Sequence, residues 1–536
     1  MNKITVLFTG FILVLSANAN SVYPPDYLPV EINNKTQKSD SDIYVIIKAM
    51  DITTEHDCFI DIDQNTGIGQ CTPVTPGMNS ESYSYPLSTL PLSEDSRKRL
   101  ILVPKTASGR IYFSAGYPMD LFVTPDTRKI LDPDGFKPRD SNYYTLYDKI
   151  EYSYNDGGSW VNPTAVDFFS LPIHIRQEGS TSDVTEAGFS EDRNEVINSV
   201  RTLIQEKDTT RNKIWDRLFI TYSESGQTEL LRIVSPGKAM VENVADTKPF
   251  DLDYLSNESV YDFSYMDHLW QYYQTHTLLI DTSEIASHFS LDNYLFTGKV
   301  TGEQFVFTNQ TGSYRVVIDR PTHSTPFFAG SGDSFDAANN TPKAIIIRQL
   351  TSAFDAGLLP AKSGTKIDRH YFQAMKANFY QKNPLLPQLT QGPWYDLYSK
   401  ALHHFDASQA IYTFAYDDAL GQDGTLHDPN AGNISPVQIT LGSLENTLIP
   451  NPYEDTGTYT VTPVLGFGTT VKYNGAILQN NVPLRNVKIP FHVTINGQDA
   501  YLYFKKPVIR PYFDGADGIA IHKTSDRDVE VVFPGK

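Results

Sequence analysis

The spacing of apolar residues changes twice along this chain, and those changes bound what it can fold into. Residues 40–175 carry short β-type runs (Tyr44–Ile47, Leu100–Val103, Ile111–Phe113) separated by clusters of Pro, Gly, Asp and Ser. No helical spacing occurs before about residue 190. Ser190 is then a predicted N-cap, with Glu191 and Asp192 in a first turn where acids favour the helix dipole. Val196, Val200, Leu203 and Ile204 follow at helical spacing. Further helices are predicted at Phe263–Tyr273, around Tyr371–Tyr380 and around Trp394–His404, with strands at Phe219–Tyr222 and Gln304–Phe307 between them. After about residue 405 strands are predicted again, at Ile411–Phe414 and Gln438–Leu441. Ile449-Pro450-Asn451-Pro452 reads as a linker. From Tyr453 to Lys536 only strand signals occur, such as Tyr459–Thr462 and Ala500–Phe504.

At roughly 150 residues per domain, 536 residues predict two to four domains. The expected division is a β domain over 22–185 completed by about 405–445, a mixed α/β domain over 186–404, and a small all-β domain over 453–536 whose role the sequence does not show. Aromatic residues at 12%, with 33 Gly and 33 Pro, fit a β-rich chain with many turns.

The net charge of −19 repels phosphate backbones and anionic lipid, which argues against nucleic acid and membrane surfaces as partners. Lys3, the apolar stretch Ile4–Leu15 and Ala17-Asn18-Ala19 form a signal-peptide pattern, with cleavage expected after Ala19 and a secreted mature protein, extracellular or periplasmic. Twelve apolar residues fall short of the roughly 20 that span a bilayer. In an exported chain the pair Cys58 and Cys71, with the turn Asn65-Thr66-Gly67 between, is expected to form a disulfide.

The stretch Lys149–Ile175 is the most informative for chemistry. Strict alternation over Ile150–Asn155 puts Glu151, Ser153 and Asn155 on one strand face and Ile150, Tyr152 and Tyr154 on the other. Asp156-Gly157-Gly158 is a turn, and the chain returns through Trp160 to Asp167, an acid among Val166, Phe168, Phe169 and Leu171. A carboxylate there needs partners or a purpose. Two carboxylates on neighbouring strands with a tryptophan between them suit glycoside hydrolysis, one acid protonating the leaving oxygen and the other activating water or attacking the sugar. The same pattern also suits a solvated strand with one buried structural Asp.

Six blocks in order give the chain a resemblance to glycoside hydrolase family 64, the laminaripentaose-producing β-1,3-glucanases with a thaumatin-like fold. They are GRIYFSAGYP from Gly109, EYSYN with VDFFSLPI, LRIVSPGKAM from Leu231, YDFSYMDHLWQYYQTHTL from Tyr261, TGKVTGEQFVFTNQTGSYRVVIDRP from Thr297 and TFAYDDALGQDGTLHDPN from Thr413. The resemblance implies a β-rich α+β fold: a thaumatin-like barrel or sandwich domain and a mixed α/β domain forming a crescent with a wide groove. It implies Glu151 as general acid and Asp167 as general base of an inverting, endo-acting hydrolase that releases short laminari-oligosaccharides. Asn155, Trp160 and Thr164 match groove-lining positions, and Ser153 stands where the family pattern has Thr. A β-1,3-glucan polysaccharide is the implied partner, and the protein is expected to act as a monomer.

Other candidates carry less. Asp417 and Asp418, read as strand neighbours, point to opposite faces, one towards the groove and one towards backbone. His403 and His404 diverge on a helix and are expected at the surface. Trp270 sits at core spacing. No HExxH, GxSxG or P-loop occurs, so neither a metal nor a cofactor is expected. The rival functional reading is a non-catalytic thaumatin-like β-glucan-binding protein, which need not keep the acid pair. A thaumatin-like inhibitor or toxin would carry many more disulfides than two cysteines allow.

Overall fold

A computed structural model describes residues 23–450, with breaks at 76–77, 79, 94–96, 125–126, 137–139, 209–213, 225–226, 242–262, 284–293, 322–324, 339–340, 388–394 and 405–409. Beyond residue 450 it describes the backbone of five strands only. The leader pattern Lys3–Ala19 and the side chains of 453–536 therefore lie outside the described residues.

The structure is β-rich, with several sheets and few helices. The first half holds β1 (Tyr27–Asn34), β2 (Ile43–Asp51), β3 (Asp57–Ile62), β4 (Gly69–Pro73), β5 (Tyr85–Pro86), β6 (Arg99–Pro104), β7 (Thr106–Ala115), β8 (Leu146–Asn155), β9 (Gly158–Pro163), β10 (Phe168–Phe169), β11 (Ile173–Arg176) and β12 (Glu186–Gly188). Next come α1 (Arg193–Lys207), β13 (Phe219–Glu224), β14 (Gln227–Val234), α2 (Pro236–Val241), α3 (Phe263–Thr275), β15 (Leu278–Asp281), β16 (Leu295–Thr301), β17 (Gln304–Asn309), β18 (Arg315–Asp319) and α4 (Thr325–Phe328). Then follow α5 (Pro342–Asp355), β19 (Thr365–Ile367), α6 (Arg369–Met375), α7 (Leu397–Leu402), α8 (Asp417–Leu420), β20 (Leu426–Asp428) and β21 (Val437–Leu441).

An eight-stranded sheet runs β20-β9-β8-β7-β2-β3-β4, with β5 also on β2. A five-stranded sheet runs β12-β11-β21-β1-β6 and touches the first through β4 against β6 and β11 against β8 and β9. Their apolar faces pack into one core; on β8 the buried residues Ile150, Tyr152 and Tyr154 alternate with the half-buried Glu151, Ser153 and Asn155. Late strands return to both sheets, β20 pairing with β9 and β21 with β1 and β11.

The middle of the chain supplies a three-stranded sheet, β10-β14-β13, and a five-stranded sheet, β18-β17-β16-β15-β19. β10 joins the two regions: it follows β9 closely in sequence yet pairs with β14. Two fully buried arginines brace this junction. Arg193 donates to the carbonyls of Ser170, Leu230 and Leu231. Arg232 donates to Tyr143 and Thr145 and lies 5.0 and 4.9 Å from the rings of Tyr147 and Phe168.

Three local expectations change, and one helix is added. α1 begins at Arg193 with Asp192 as cap residue, because Arg193 is drawn into the core by those carbonyls. Ile411–Phe414 forms no strand and makes a single bridge, Tyr412 to Thr164. Asp417 and Asp418 open the one-turn helix α8 instead of sitting on a strand. The α5 helix was not anticipated, although Thr341 caps it by accepting from the Ala344 N–H and Pro342 occupies its first turn. Trp270 is core, as its spacing predicts.

Cys58 and Cys71 are bonded across β3 and β4, whose register places them diagonally, Cys58 opposite Pro73 and Ile60 opposite Cys71. The connecting turn is held by Asp63, whose carboxylate accepts from the Asn65 and Thr66 N–H groups. Cys58→Ala with Cys71→Ala should lower the unfolding free energy by about 3 kcal/mol in urea titration. Coincident curves for the two proteins would show that the crosslink contributes nothing.

Candidate active site

The polar face of β8 is crossed by a row of side chains fixed by strand register. Lys48 of β2 lies opposite Arg110 of β7, Arg110 opposite Glu151, and Glu151 opposite Asn162 of β9. Arg110 Nε donates to Glu151 Oε1 at 3.1 Å, and Nη2 ion-pairs with the same oxygen at 3.0 Å. No described residue bonds Glu151 Oε2, and the side chain is 27% exposed. Asp132 ion-pairs with both Lys48 and Arg110 and accepts from the Tyr112 hydroxyl at 2.7 Å. Burial would raise the Asp132 carboxyl, but Arg110 and Lys48 hold it down at about 2. Burial likewise disfavours the Arg110 charge; Tyr112, Asp132, Glu151 and Asp167 outweigh it and raise that guanidinium further.

Asp167 sits in a bend just before β10, not on a strand as predicted. The bend is tied to the segment after β14: Ser235 N–H donates to the Asp167 carbonyl at 3.0 Å and Ser235 Oγ to that of Val166 at 2.7 Å. The carboxylate is gripped from two sides, by Lys149 Nζ at 2.5 Å on Oδ2 and by Lys238 Nζ of α2 at 3.1 Å on Oδ1. Lys149 is two residues before Glu151 on the same face and only 2% exposed, whereas Lys238 is 43% exposed. Burial works to raise the Asp167 carboxyl; Lys149, Lys238 and Arg110 overcome it and hold it well below the usual carboxylate range. Glu151 and Asp167 are thus brought to one face, with the charge of Arg110 acting on both.

On the other face of β8, Asp148 accepts from the N–H groups of Lys149, Ser170 and Leu171, stitching β8 to the chain around β10. Burial pushes its carboxyl up to about 6 against the pull of Lys149 and those N–H groups.

One row from Glu151, Ser153 lies opposite Trp160, and Trp160 opposite His427 of β20. The Trp160 and His427 rings stack at 4.4 Å and 12°. His427 Nδ1 is 3.0 Å from the Ser159 carbonyl, which only accepts, so the proton is on Nδ1. The hairpin tip is glycine because space is short. A Cβ on Gly157 would come within 3.0 Å of the Trp160 ring, and one on Gly158, at φ +113°, within 2.1 Å of the Asp428 carbonyl. Ser153 Oγ accepts from Ser108 N–H and Asn155 Oδ1 from Gly157 N–H. Thr164 is buried, its Oγ1 accepting from Val166 N–H at 3.4 Å, in the turn that leads to Asp167.

The paired acids and histidines resolve differently from the expectation. Asp417 is fully buried and accepts from the Thr413 N–H and hydroxyl and from His403 Nε2 at 2.9 Å. His403, at the end of α7, therefore turns inward with 4% of its side chain exposed, while His404 stays at the surface. Asp418 pairs with Arg348. Among the described residues no three His, Cys, Asp or Glu side chains gather to hold a metal ion.

Sequence reasoning passed over Lys149, Lys238, Arg110 and His427. Each lies inside or beside a stretch already quoted, but their partners are set by register and by a contact some 70 residues away. Lys149→Met should destabilise by about 3–5 kcal/mol, because it removes the buried partner of a buried carboxylate. Lys238→Ala should cost under about 1 kcal/mol. The folded Asp167 carboxyl is depressed, so its contribution is full above its unfolded value near 4 and fades as pH falls towards the folded value. Urea midpoints measured from pH 3 to 8 should therefore fall less steeply on the acid side in Lys149→Met than in the wild type.

The family profile of glycoside hydrolase 64, described as beta-1,3-glucanase, matches residues 26–438. The chain is 24% identical over 351 residues to a glucan endo-1,3-beta-glucosidase of Arthrobacter sp. (strain YCWD3), and 23% identical over the same length to one of Cellulosimicrobium cellulans. Each alignment takes in 65% of this chain and 55% of the relative, so the chain spans about half the length of those curated relatives. Its fold resembles a laminaripentaose-producing beta-1,3-glucanase solved in complex with laminaritetraose (TM-score 0.59, 24% identity, 78% of this chain and 99% of that one). It also resembles the family 64 beta-1,3-glucanase domain from Clostridium beijerinckii (TM-score 0.54, 20% identity, 78% and 98%). The profile spans both β-sheet regions, the junction at β10 and the acid pair, and on that match the chain belongs to glycoside hydrolase family 64, the β-1,3-glucanases.

Proposed function

We propose that this protein is an endo-acting hydrolase of β-1,3-glucan that works with inversion and releases short laminari-oligosaccharides. The observation that carries the reading is that Glu151 and Asp167, sixteen residues apart in sequence, are linked through β8: Glu151 pairs with Arg110, and Lys149, two residues before Glu151 on the same strand, pairs with Asp167. Glu151 is the general acid. Arg110 occupies Oε1 and fixes the carboxyl plane, leaving Oε2 to carry the proton to the leaving oxygen. Asp167 is the general base: its lysines keep it ionised, ready to accept a proton from the attacking water, at some loss of basicity. The exposed Lys238 is the partner free to swing aside when water and sugar enter. Trp160, with Ser153 and Asn155 beside it, offers the stacking wall for the sugar. Inversion requires the two carboxyl groups to be roughly 6.5–9.5 Å apart, with the water between.

In this reading the two regions form a thaumatin-like crescent around a wide groove, the leader directs export, and the mature protein acts outside the cytoplasm as a monomer. A second reading, a glucan-binding protein without hydrolysis, is favoured by one feature: a carboxylate clamped by two ammonium groups is a weak base. Reducing-sugar release from insoluble linear β-1,3-glucan, with cellulose as control, separates the two. Glu151→Gln keeps the side-chain shape and should lower kcat at least about 10²- to 10⁴-fold; full activity in that variant would remove Glu151 from the mechanism. Trp160→Ala should raise KM more than it lowers kcat. Proton NMR of the first product should show the α-anomer before mutarotation, and initial β-anomer would overturn inversion.

A further inference from the structure

The charged row across β2, β7 and β8 has one member that comes from outside the sheet. Asp132 stands in the segment between β7 and β8, and its carboxylate ion-pairs with Lys48 through Oδ1 and with Arg110 Nη1 through Oδ2. The side chain is 42% exposed, so packing alone does not hold it. The backbone on either side does. Ile130 N–H donates to Asp57 of β3 at 2.8 Å, and the Ile130 carbonyl accepts from Lys48 Nζ of β2 at 3.5 Å. The Pro133 carbonyl accepts from the Tyr147 hydroxyl of β8 at 3.3 Å. The segment is thus tied to three strands within two residues of Asp132, and Tyr112 of β7 donates to the carboxylate itself at 2.7 Å. An ion pair with one partner this exposed adds little stability, so the tether is better explained by what Arg110 does next.

Arg110 is held by a carboxylate on each side. Nε and Nη2 meet Glu151 Oε1, and Nη1 meets Asp132 Oδ2. A guanidinium is a rigid plane, so the two carboxylates together fix its rotation, and with it the direction in which Glu151 is held. The charges also cancel. Lys48 and Arg110 bring two positive charges, Asp132 and Glu151 two negative ones. Without Asp132, two cations would face Glu151 alone. Cations beside a carboxyl favour its ionised form, the wrong form for a group that must deliver a proton.

The other groups facing Glu151 leave that balance to Asp132. Asn162, opposite on β9, is uncharged. Burial raises the Tyr112 phenol well above its ordinary value and keeps it neutral. It does the same for Tyr412, where Asp418, Asp417 and Glu151 add to the rise. Lys149 and Lys238 are engaged by Asp167. We infer that Asp132 is a positioning residue for the general acid: it fixes the plane of Arg110 and offsets its charge, so that Arg110 aims Glu151 without drawing off its proton. The inference rests on the reading of Glu151 as the acid, and adds to it the residue outside the sheet that makes an arginine tolerable there.

The test is the pH dependence of kcat/KM on laminarihexaose for the wild type, Asp132→Asn and Lys48→Met, with Glu151→Gln as control. Asp132→Asn removes a negative charge near the acid, and the basic limb of its profile should move down by about 0.5–1 pH unit, so that its deficit grows with pH to about three- to tenfold. Lys48→Met removes a cation from the same row and should move the limb up. A role in folding alone would lower the whole profile and leave the limb in place. Potentiometric titration reads the same effect without substrate. The proton that distinguishes Asp132→Asn from its Glu151→Gln form should leave at lower pH than the one that distinguishes the wild type from Glu151→Gln. An unmoved titration difference would overturn the inference and leave hydrolysis standing. A moved difference with an unmoved catalytic limb, or full activity in Glu151→Gln, would keep the charge coupling and overturn Glu151 as the acid. Should Asp132→Asn fail to fold, Lys48→Met decides: an upward shift of its titration difference is expected, and no shift would overturn the inference.

Discussion

The contact on which the site depends is the ion pair between Lys149 and Asp167. An ammonium buried to 2% exposure is stable only beside an opposite charge, and a carboxylate in the bend before β10 has the same need. Each group is the other's reason for being there. The pair also fixes the join between two regions of the chain, because Asp167 precedes the strand that leaves the eight-stranded sheet to pair with β14. Arg232 across Tyr147 and Phe168, Arg193 on the backbone of 170 and 230–231, and Asp148 on the N–H groups of 170–171 close the same join from other directions. A buried arginine or aspartate is costly, and here the cost is met by backbone groups that would otherwise lose their partners.

The protein uses burial of carboxyl groups in two opposite ways. Near the acid pair, cations outnumber the desolvation cost and carboxyls are driven down, as at Asp132 and Asp167. Where α5, α7 and α8 meet, three buried acids gather around few cations. Burial, with Asp417 adding to it, pushes the Asp396 carboxyl up to about 6 although it caps α7, and burial with Asp396 and Asp417 drives Asp355 well above the usual range. Asp355 Oδ2 and Asp417 Oδ1 have no partner in the described residues. A raised carboxyl contributes most below its unfolded value and loses that contribution as pH rises through the folded one. The helical side therefore holds best in mild acid, while Asp167 keeps its ion pairs down to pH values well under 4.

Much of the local structure was legible from residues alone. The alternation at Ile150–Asn155 assigns each side chain to the face it occupies, since a strand has no other way to separate tyrosines from carboxylates. The turn at Asn65–Gly67 brings the two cysteines together. Helix ends were less legible, because Ser190 and Asp192 are equally good caps by type and the choice fell to what Arg193 bonds in the core. The strand expected at Ile411–Phe414 failed for a similar reason: its residues have β character, but only one bridging partner passes beside them.

Sequence by itself determined which residues are acids, which face of β8 they take, and which family the ordered blocks resemble. The tertiary structure decided their company. Period-two alternation says up or down; it does not say that Arg110 is level with Glu151 or that His427 backs Trp160. Those relations come from register between strands up to 268 residues apart in sequence. Lys238 reaches Asp167 only because β10 pairs with β14 and α2 follows at once. Register and crossing are fixed by how whole faces pack together, a sum over many weak contacts that no short stretch of sequence contains.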